Sequence, residues 1–338
     1  MKRITTLLTG AASLALVAFG AQAETKVAHV PGGPHPFFAD WEPASMAAKE
    51  DFKLGAADYR FPQKWELNLQ NDLLESLVTQ GYNAFAIHPG DPVGSVPTLN
   101  ELVGTGAPVI AVSACVNDPS DVSFCLASDA GVSAYTGTKH LIEAMGPGTK
   151  KIAHFTGWLV EPNTQLRIDG VAKAAAEAGV EVVQVIADID APEPAEEKIG
   201  AYLAAHGSEI DGVITTAWVP AVVASNAMRR IGDKRIKMVA IDHDEVVMDA
   251  IRDGYVVGSM LQNPFGQAYV AAFAADKLLN GCEVSADAPF TGHPLTARFI
   301  DSGAPYVNAS NVDTRADVDR AMTEELMRKV EADFLSCS

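Results

Sequence analysis

Three features of the chain predict an α/β fold built on parallel sheets. Short apolar runs alternate with helical patterns along most of its length. The runs are rich in Val, Ile, Ala and Phe without polar alternation, as strands buried on both faces of a parallel sheet should be. Five helical patterns stop at a glycine (Gly81, Gly146, Gly179, Gly232 and Gly281), the usual helix C-terminal signal. Strands alternating with helices mean βαβ units.

The first 23 residues predict an address rather than part of the fold. Lys2 and Arg3 precede an apolar run from Leu7 to Phe19, followed by Ala21-Gln22-Ala23. A charged start, an apolar core and an A-x-A ending describe a secretory signal peptide over 1–23, cleaved before Glu24. The run is too short for a permanent membrane helix, and no cysteine follows it to carry a lipid anchor. A soluble periplasmic protein is the expectation. Roughly 315 residues remain, enough for two lobes with separate cores. The formal charge of −18 deepens to −20 once Lys2 and Arg3 are removed. Nucleic acid and anionic membrane both demand a positive face, so neither is an expected partner.

From Val27 to Trp41 the chain reads as strand, loop and helix, with His35, Phe37, Phe38 and Trp41 massed after Pro31-Gly32-Gly33-Pro34. In an open α/β sheet, ligands collect outside the carboxyl ends of the strands. Aromatics there are either core plugs or a ligand platform. Further strand-like runs fall at 56–61, 84–88, 108–114, 124–128, 151–156, 181–187, 212–217, 237–242 and 256–261. Helical patterns between them include 65–80, 132–145, 165–178, 195–205, 221–231 and 266–280. Ten strands divide into two sheets, with boundaries expected near 128–129, 262–264 and 292–294. That gives a first lobe of 24–128 plus 263–292, and a second of 129–262 plus 293–338. The second lobe would carry a charged tail helix over 313–334 with Val318, Met322, Leu326 and Val330 on one face.

Four cysteines in an exported chain suggest disulfides. Cys115 and Cys125 bracket a polar turn between two strands, and Cys282 and Cys337 would pin down the tail. This pairing is favoured among the three connectivities. Free buried thiols remain an alternative, and zinc is unsupported because no C-x-x-C spacing exists.

The chain has no G-x-G-x-x-G loop, Walker A sequence, G-x-S-x-G elbow or H-E-x-x-H, so no cofactor is expected. His29, His35 and His88 fall near strand ends but lack companions at ligand spacing, so no metal is expected either. What recurs is one polar or aromatic residue at or just past a strand end. His35 and Phe38, His88 in AIHPGD and Ser113 in VIAVSA come from the first lobe. Trp158, Arg167, Trp218 in ITTAW, Asp242 in VAIDHD and Gln262 in SMLQN come from the second and its crossover. Planar carboxylate, amide and guanidinium groups pair with hydroxyls, while rings cover the C–H face of a polyol. The plainer reading has Asp242 capping the following helix and Arg167 in a surface ion pair.

These residues give the chain a resemblance to periplasmic solute-binding proteins of sugar ABC transporters, the ribose-binding type. Its marks are His35-Pro36-Phe37-Phe38 where the family has Asn-Pro-Phe-Phe, AIHPGD at 86–91, LASD at 126–129, Arg167-x-x-Gly170, AIDHD at 240–244 and LQN at 261–263. The resemblance covers almost all of the chain after the leader, to about residue 292. The resemblance implies the type I periplasmic binding fold, two Rossmann-like lobes joined by a three-segment hinge and closing over one sugar. It further implies that Phe37 and Phe38 stack on the ligand, that Arg167 forks onto ring oxygen and hydroxyls, and that Asp242 and Gln262 pair with hydroxyls. His35 and His88 replace asparagines of that pattern, Ser113-Ala114 replaces Asp-Arg, and Ala217-Trp218 replaces Asn-Asp. These departures turn the expectation from ribose, galactose or glucose toward a sugar alcohol, ketose, deoxy sugar or branched sugar. The expected protein is thus a monomeric binding component that hands its ligand to an inner-membrane permease. A chemoreceptor as a further partner is left open. A furanose-like signal molecule, a nucleoside, or a hydrolase or isomerase using Asp242 and His243 are the rival readings. A two-lobed transcription regulator is set aside on the leader and the absent DNA-binding headpiece.

Overall fold

The computed structural model describes residues 24–232 and 234–337, so the expected signal peptide over 1–23 lies outside the described residues. The first half of the chain runs β1 (Lys26–Val30), α1 (Trp41–Asp51), β2 (Ala56–Tyr59), α2 (Leu67–Thr79), β3 (Ala84–Ile87), α3 (Val96–Gly104), β4 (Val109–Val112) and β5 (Phe124–Ala127). The second unit runs α4 (Ala130–Met145), β6 (Lys151–Phe155), α5 (Pro162–Ala178), β7 (Glu181–Ile186), α6 (Pro192–His206), β8 (Gly212–Thr215), α7 (Trp218–Ile231), β9 (Lys237–Ile241), α8 (Glu245–Arg252) and β10 (Gly258–Met260). The chain then returns through α9 (Pro264–Leu279), β11 (Glu283–Val284) and β12 (Phe299–Asp301). It closes with β13 (Tyr306–Asn308), α10 (Arg315–Lys329) and β14 (Leu335–Ser336).

Two six-stranded sheets result, ordered β12-β5-β4-β3-β1-β2 and β13-β10-β9-β8-β6-β7. Apart from antiparallel β13, every pair in them is parallel. Each lobe therefore has the same doubly wound core, with its order reversing between β1 and β3 or between β6 and β8. Such a switch point leaves a crevice at the strands' carboxyl ends. Strands β3, β4, β5 and β8 are buried along their whole length, which explains their unbroken apolar runs. All five helix-ending glycines adopt positive φ. Cys115–Cys125 and Cys282–Cys337 both form disulfides, the favoured pairing.

Three segments join the lobes at 128–129, 261–263 and 302–305, and one side chain ties them together. The Gln267 amide donates to Gln262 O (2.9 Å), Ser302 Oγ (2.8 Å) and Ser128 Oγ (3.2 Å), and Ser128 Oγ donates to Gly303 O (2.6 Å). The third crossing lies beyond the 292–294 expected. Phe299–Asp301 pairs with β5 in the first sheet, so 293–338 does not belong wholly to the second lobe. Three-residue strands leave no alternation to read, which is why the sequence placed this crossing early. The tail also returns: β14 pairs with β11, and Leu326, Val330 and Phe334 join the first lobe's core while Val312 joins the second's. No helix among the described residues is long and apolar enough to cross a membrane.

Candidate functional site

The carboxyl ends of the two sheets face one another across a cavity enclosing about 440 Å³ of atom-free space, its opening included. From the first lobe it is lined by His35, Phe37, Phe38, Trp65, His88 and Ser113. From the second lobe and hinge come Trp158, Glu161, Asn163, Arg167, Asp190, Ala217, Trp218, Asp242 and Gln262. All ten candidate residues from the sequence thus meet in one place. Trp65, Glu161, Asn163 and Asp190 were not anticipated.

The first wall begins where β1 ends. Gly32 and Gly33 let two other loops, one before α2 and one after β3, lie against this turn: a Cβ on Gly33 would sit 2.7 Å from Trp65 N, and one on Gly32 2.8 Å from Gly90 Cα. His35 is extended (φ −156°) and caps a five-residue 3-10 helix, its Nδ1 accepting from Phe37 N–H at 3.2 Å. The proton of the neutral ring therefore sits on Nε2. Phe38 is packed edge-on to Trp41 (4.8 Å between centroids) and His88 (4.9 Å). Trp41 and Phe38 are both fully buried and Phe37 nearly so, and of the three it is Phe37 and Phe38 that line the cavity. The Trp65 indole donates to Gly90 O at 3.1 Å and meets Trp158 of the other lobe at 5.3 Å.

Gln70 fixes the His88 loop, donating to His88 O (2.8 Å) and accepting from Gly90 N–H (2.9 Å). Burial above all, with the nearby Arg167 charge acting in the same direction, pushes His88 down to about 3, so the ring is neutral at pH 7. Ser113 holds a left-handed φ of +63°. Its hydroxyl donates to Gln267 Oε1 (2.6 Å) and its carbonyl accepts from Asn163 Nδ2 (3.0 Å). The side chain expected to face ligand is thus also a hinge contact.

The second wall is set by helix starts. Glu161 caps α5, accepting from Asn163 N–H (3.1 Å) and Thr164 Oγ1 (3.2 Å). One turn on, Arg167 is 8% exposed, with Nη2 donating to Gln262 Oε1 (3.5 Å) and Nη1 3.7 Å from Glu161. It is a cavity residue and not the surface ion pair of the plainer reading. Its Nε is buried without a partner. Asp242, at φ +66°, accepts from Gln262 Nε2 at 2.7 Å. The cap of α8 is Asp244, whose Oδ1 accepts from Val246 N–H (2.8 Å), so Asp242 is not the helix cap. Burial raises the carboxyls of Glu161 and Asp242 against the opposing pull of Arg167. Trp218 begins α7 and donates its indole N–H to Asp244 (3.1 Å), and Asp190 Oδ1 accepts from Val219 N–H (3.1 Å).

Outside the cavity, His243 Nε2 meets Asp40 of the first lobe at 2.9 Å. Burial works against its protonation, but the hydrogen bond and charge of Asp40 outweigh it and raise its pKa. His29 has a different job from the other first-lobe histidines. It is fully buried between Ser45 Oγ (2.8 Å) and Ala268 O (3.0 Å) and pushed down to about 4, chiefly by burial. Among the described residues, no group of three or more His, Cys, Asp or Glu side chains is disposed to hold a metal ion.

Comparison with known proteins agrees with this architecture. A xylitol-binding protein of Mycolicibacterium smegmatis is 23% identical over 245 residues, spanning 72% of this chain and 69% of that protein. An ABC transporter solute-binding protein of Burkholderia graminis, solved in complex with D-arabinose, superposes with a TM-score of 0.74 at 21% identity. It covers 85% of this chain and 96% of its own. Another from Agrobacterium vitis, bound with α-D-tagatopyranose, gives 0.73 at 20% identity over 87% of this chain and 97% of that one. At these identities the structural likeness is one of fold. The family described as "Periplasmic binding protein domain" matches residues 29–283. The chain therefore belongs to the periplasmic binding protein domain family.

Proposed function

We propose that this chain is the solute-binding component of an ABC importer. It is exported by its leader, works as a monomer in the periplasm, and captures a neutral sugar or sugar alcohol between its lobes. Closure about the three-segment hinge then presents the loaded form to a membrane permease. One observation carries the reading: planar polar groups (Arg167, Asp242, Gln262) and aromatic rings (Phe37, Phe38, Trp158, Trp218) line one cavity built from both lobes. Hydroxyls pair with the former and C–H faces lie on the latter. The Arg167 Nε, buried without a partner, is a donor available to a ligand oxygen. The named ligands of the similar proteins, xylitol, D-arabinose and D-tagatose, support the same chemical class.

Thermal melting against pentoses, ketoses, sugar alcohols and nucleosides tests it. A ligand at about 100 times its Kd stabilises the native state by about 2.7 kcal/mol, a shift of several degrees. The expected result is such a shift for a polyol or sugar and its loss in Arg167→Ala. A shift with nucleosides alone, or with nothing on the panel, would overturn the assignment.

A further inference from the structure

Three histidine–carboxylate pairs span the lobes, and they are not alike. His243 and Asp40, outside the cavity, are hydrogen-bonded at 2.9 Å. His35 Nε2 and Asp190 Oδ1 stand 3.4 Å apart, and His88 Nε2 and Glu161 Oε1 3.8 Å apart. Neither of these two forms a hydrogen bond, and both Nε2 atoms are buried without a partner. All four residues line the cavity. Buried polar groups left unmade are costly, and such gaps in a binding cleft mark where a partner atom belongs.

A hydroxyl suits each gap because it donates once and accepts twice. At the first gap the polarity is fixed. His35 Nδ1 is occupied by Phe37 N–H, so Nε2–H points outward, and Asp190 Oδ1, which already accepts from Val219 N–H, stands opposite with its remaining acceptor capacity. At the second, Glu161 is held by the start of α5 through its other oxygen, which leaves Oε1 facing His88. Each bridge would tie a first-lobe histidine to a second-lobe carboxylate. Glu161, Asp190 and Asp242 also place three carboxyl groups in the cavity against a single arginine, a balance that disfavours an anionic ligand.

We infer that Glu161 and Asp190 are specificity-determining residues, each receiving one hydroxyl of a neutral polyol that bridges it to His88 or His35. Together they exclude sugars bearing a carboxylate or phosphate. This rests on the sugar or polyol reading above.

The test is calorimetric titration of wild type, Asp190→Asn and Glu161→Gln. The probes are xylitol, D-arabinose, D-tagatose, singly deoxygenated analogues of whichever binds, and D-xylonate. Gln at 161 keeps an oxygen for the α5 cap, and melting of the ligand-free variants checks that they fold. Each variant should weaken the parent ligand by about 10–100-fold. Each should leave one deoxy analogue, a different one for each residue, within about twofold of its wild-type affinity. D-xylonate should bind wild type far more weakly than xylitol and recover in the double variant. Uniform losses across all analogues, unchanged parent affinity, or equal binding of D-xylonate and xylitol would overturn the bridging assignment alone. Wild type binding none of the neutral probes would overturn the sugar reading and this inference together.

Discussion

His154 lies in β6, away from the cavity, its Nε2 against Thr216 Oγ1 at 2.7 Å, and burial pushes its pKa down to about 3. An unfolded histidine titrates near 6.5. Between those values the unfolded chain holds a proton that the native one does not, so stability falls as pH falls. Relative to His154→Gln, wild type should lose about 1.4 kcal/mol per pH unit below pH 6. Denaturant titrations of the two proteins at pH 7, 6 and 5 measure this difference, and parallel curves would mean that His154 is not held neutral. The same residue scale shows what could be read beforehand. His35, His88, Ser113, Trp158, Trp218 and Asp242 could be picked because parallel strands deliver their carboxyl ends to one crevice. Trp65 escaped because it lies in a loop ahead of α2 and is held by Gly90, a contact between segments far apart in sequence. Glu161 escaped because the helical pattern reads only from 165, three residues after α5 begins, and only the facing lobe reveals its second oxygen as a cavity group.

Helix α10 links both lobes. Its start pairs with the second lobe through Arg315 and Glu245 (3.7 Å), and its end sinks Leu326 and Val330 into the first. Between them, Thr323 Oγ1 and Asp319 O accept from Asn263 Nδ2, and Asn263 sits in the middle crossing at φ +51°. The disulfide Cys282–Cys337 closes this return over a separation of 55 residues. Replacing both cysteines with serine should cost about 2–4 kcal/mol, read as a lower urea midpoint. An unchanged midpoint would mean that the packing of Phe334 and Leu335 alone holds the tail. The apolar face of this helix was legible from its spacing, but its direction was not. β12, β13 and β14 have two or three residues each, too few for a periodicity, and their pairing is fixed by strands far away in the sequence. The long elements were visible because each carries its own burial pattern.

The whole molecule repeats one topology twice and places its polar chemistry where the two copies meet. The doubled strand order follows from short apolar runs alternating with helical patterns, whereas the likeness to the family is carried by the loop motifs at the strand ends. Contacts between the lobes include the hydrogen bonds from Asn163 to Ser113 and between His243 and Asp40, and ring contacts of Trp65 and His35 with Trp158 and of Phe37 with Trp218. The closed state should need ligand to persist. Small-angle X-ray scattering on the mature chain, with and without the sugar or polyol that raises the melting temperature, measures this directly. The account predicts a smaller radius of gyration with ligand, and weaker ligand affinity in His243→Ala, which loses one lobe-to-lobe bond. A ligand that binds tightly while the radius of gyration stays unchanged would contradict the claim that ligand contacts join the two lobes.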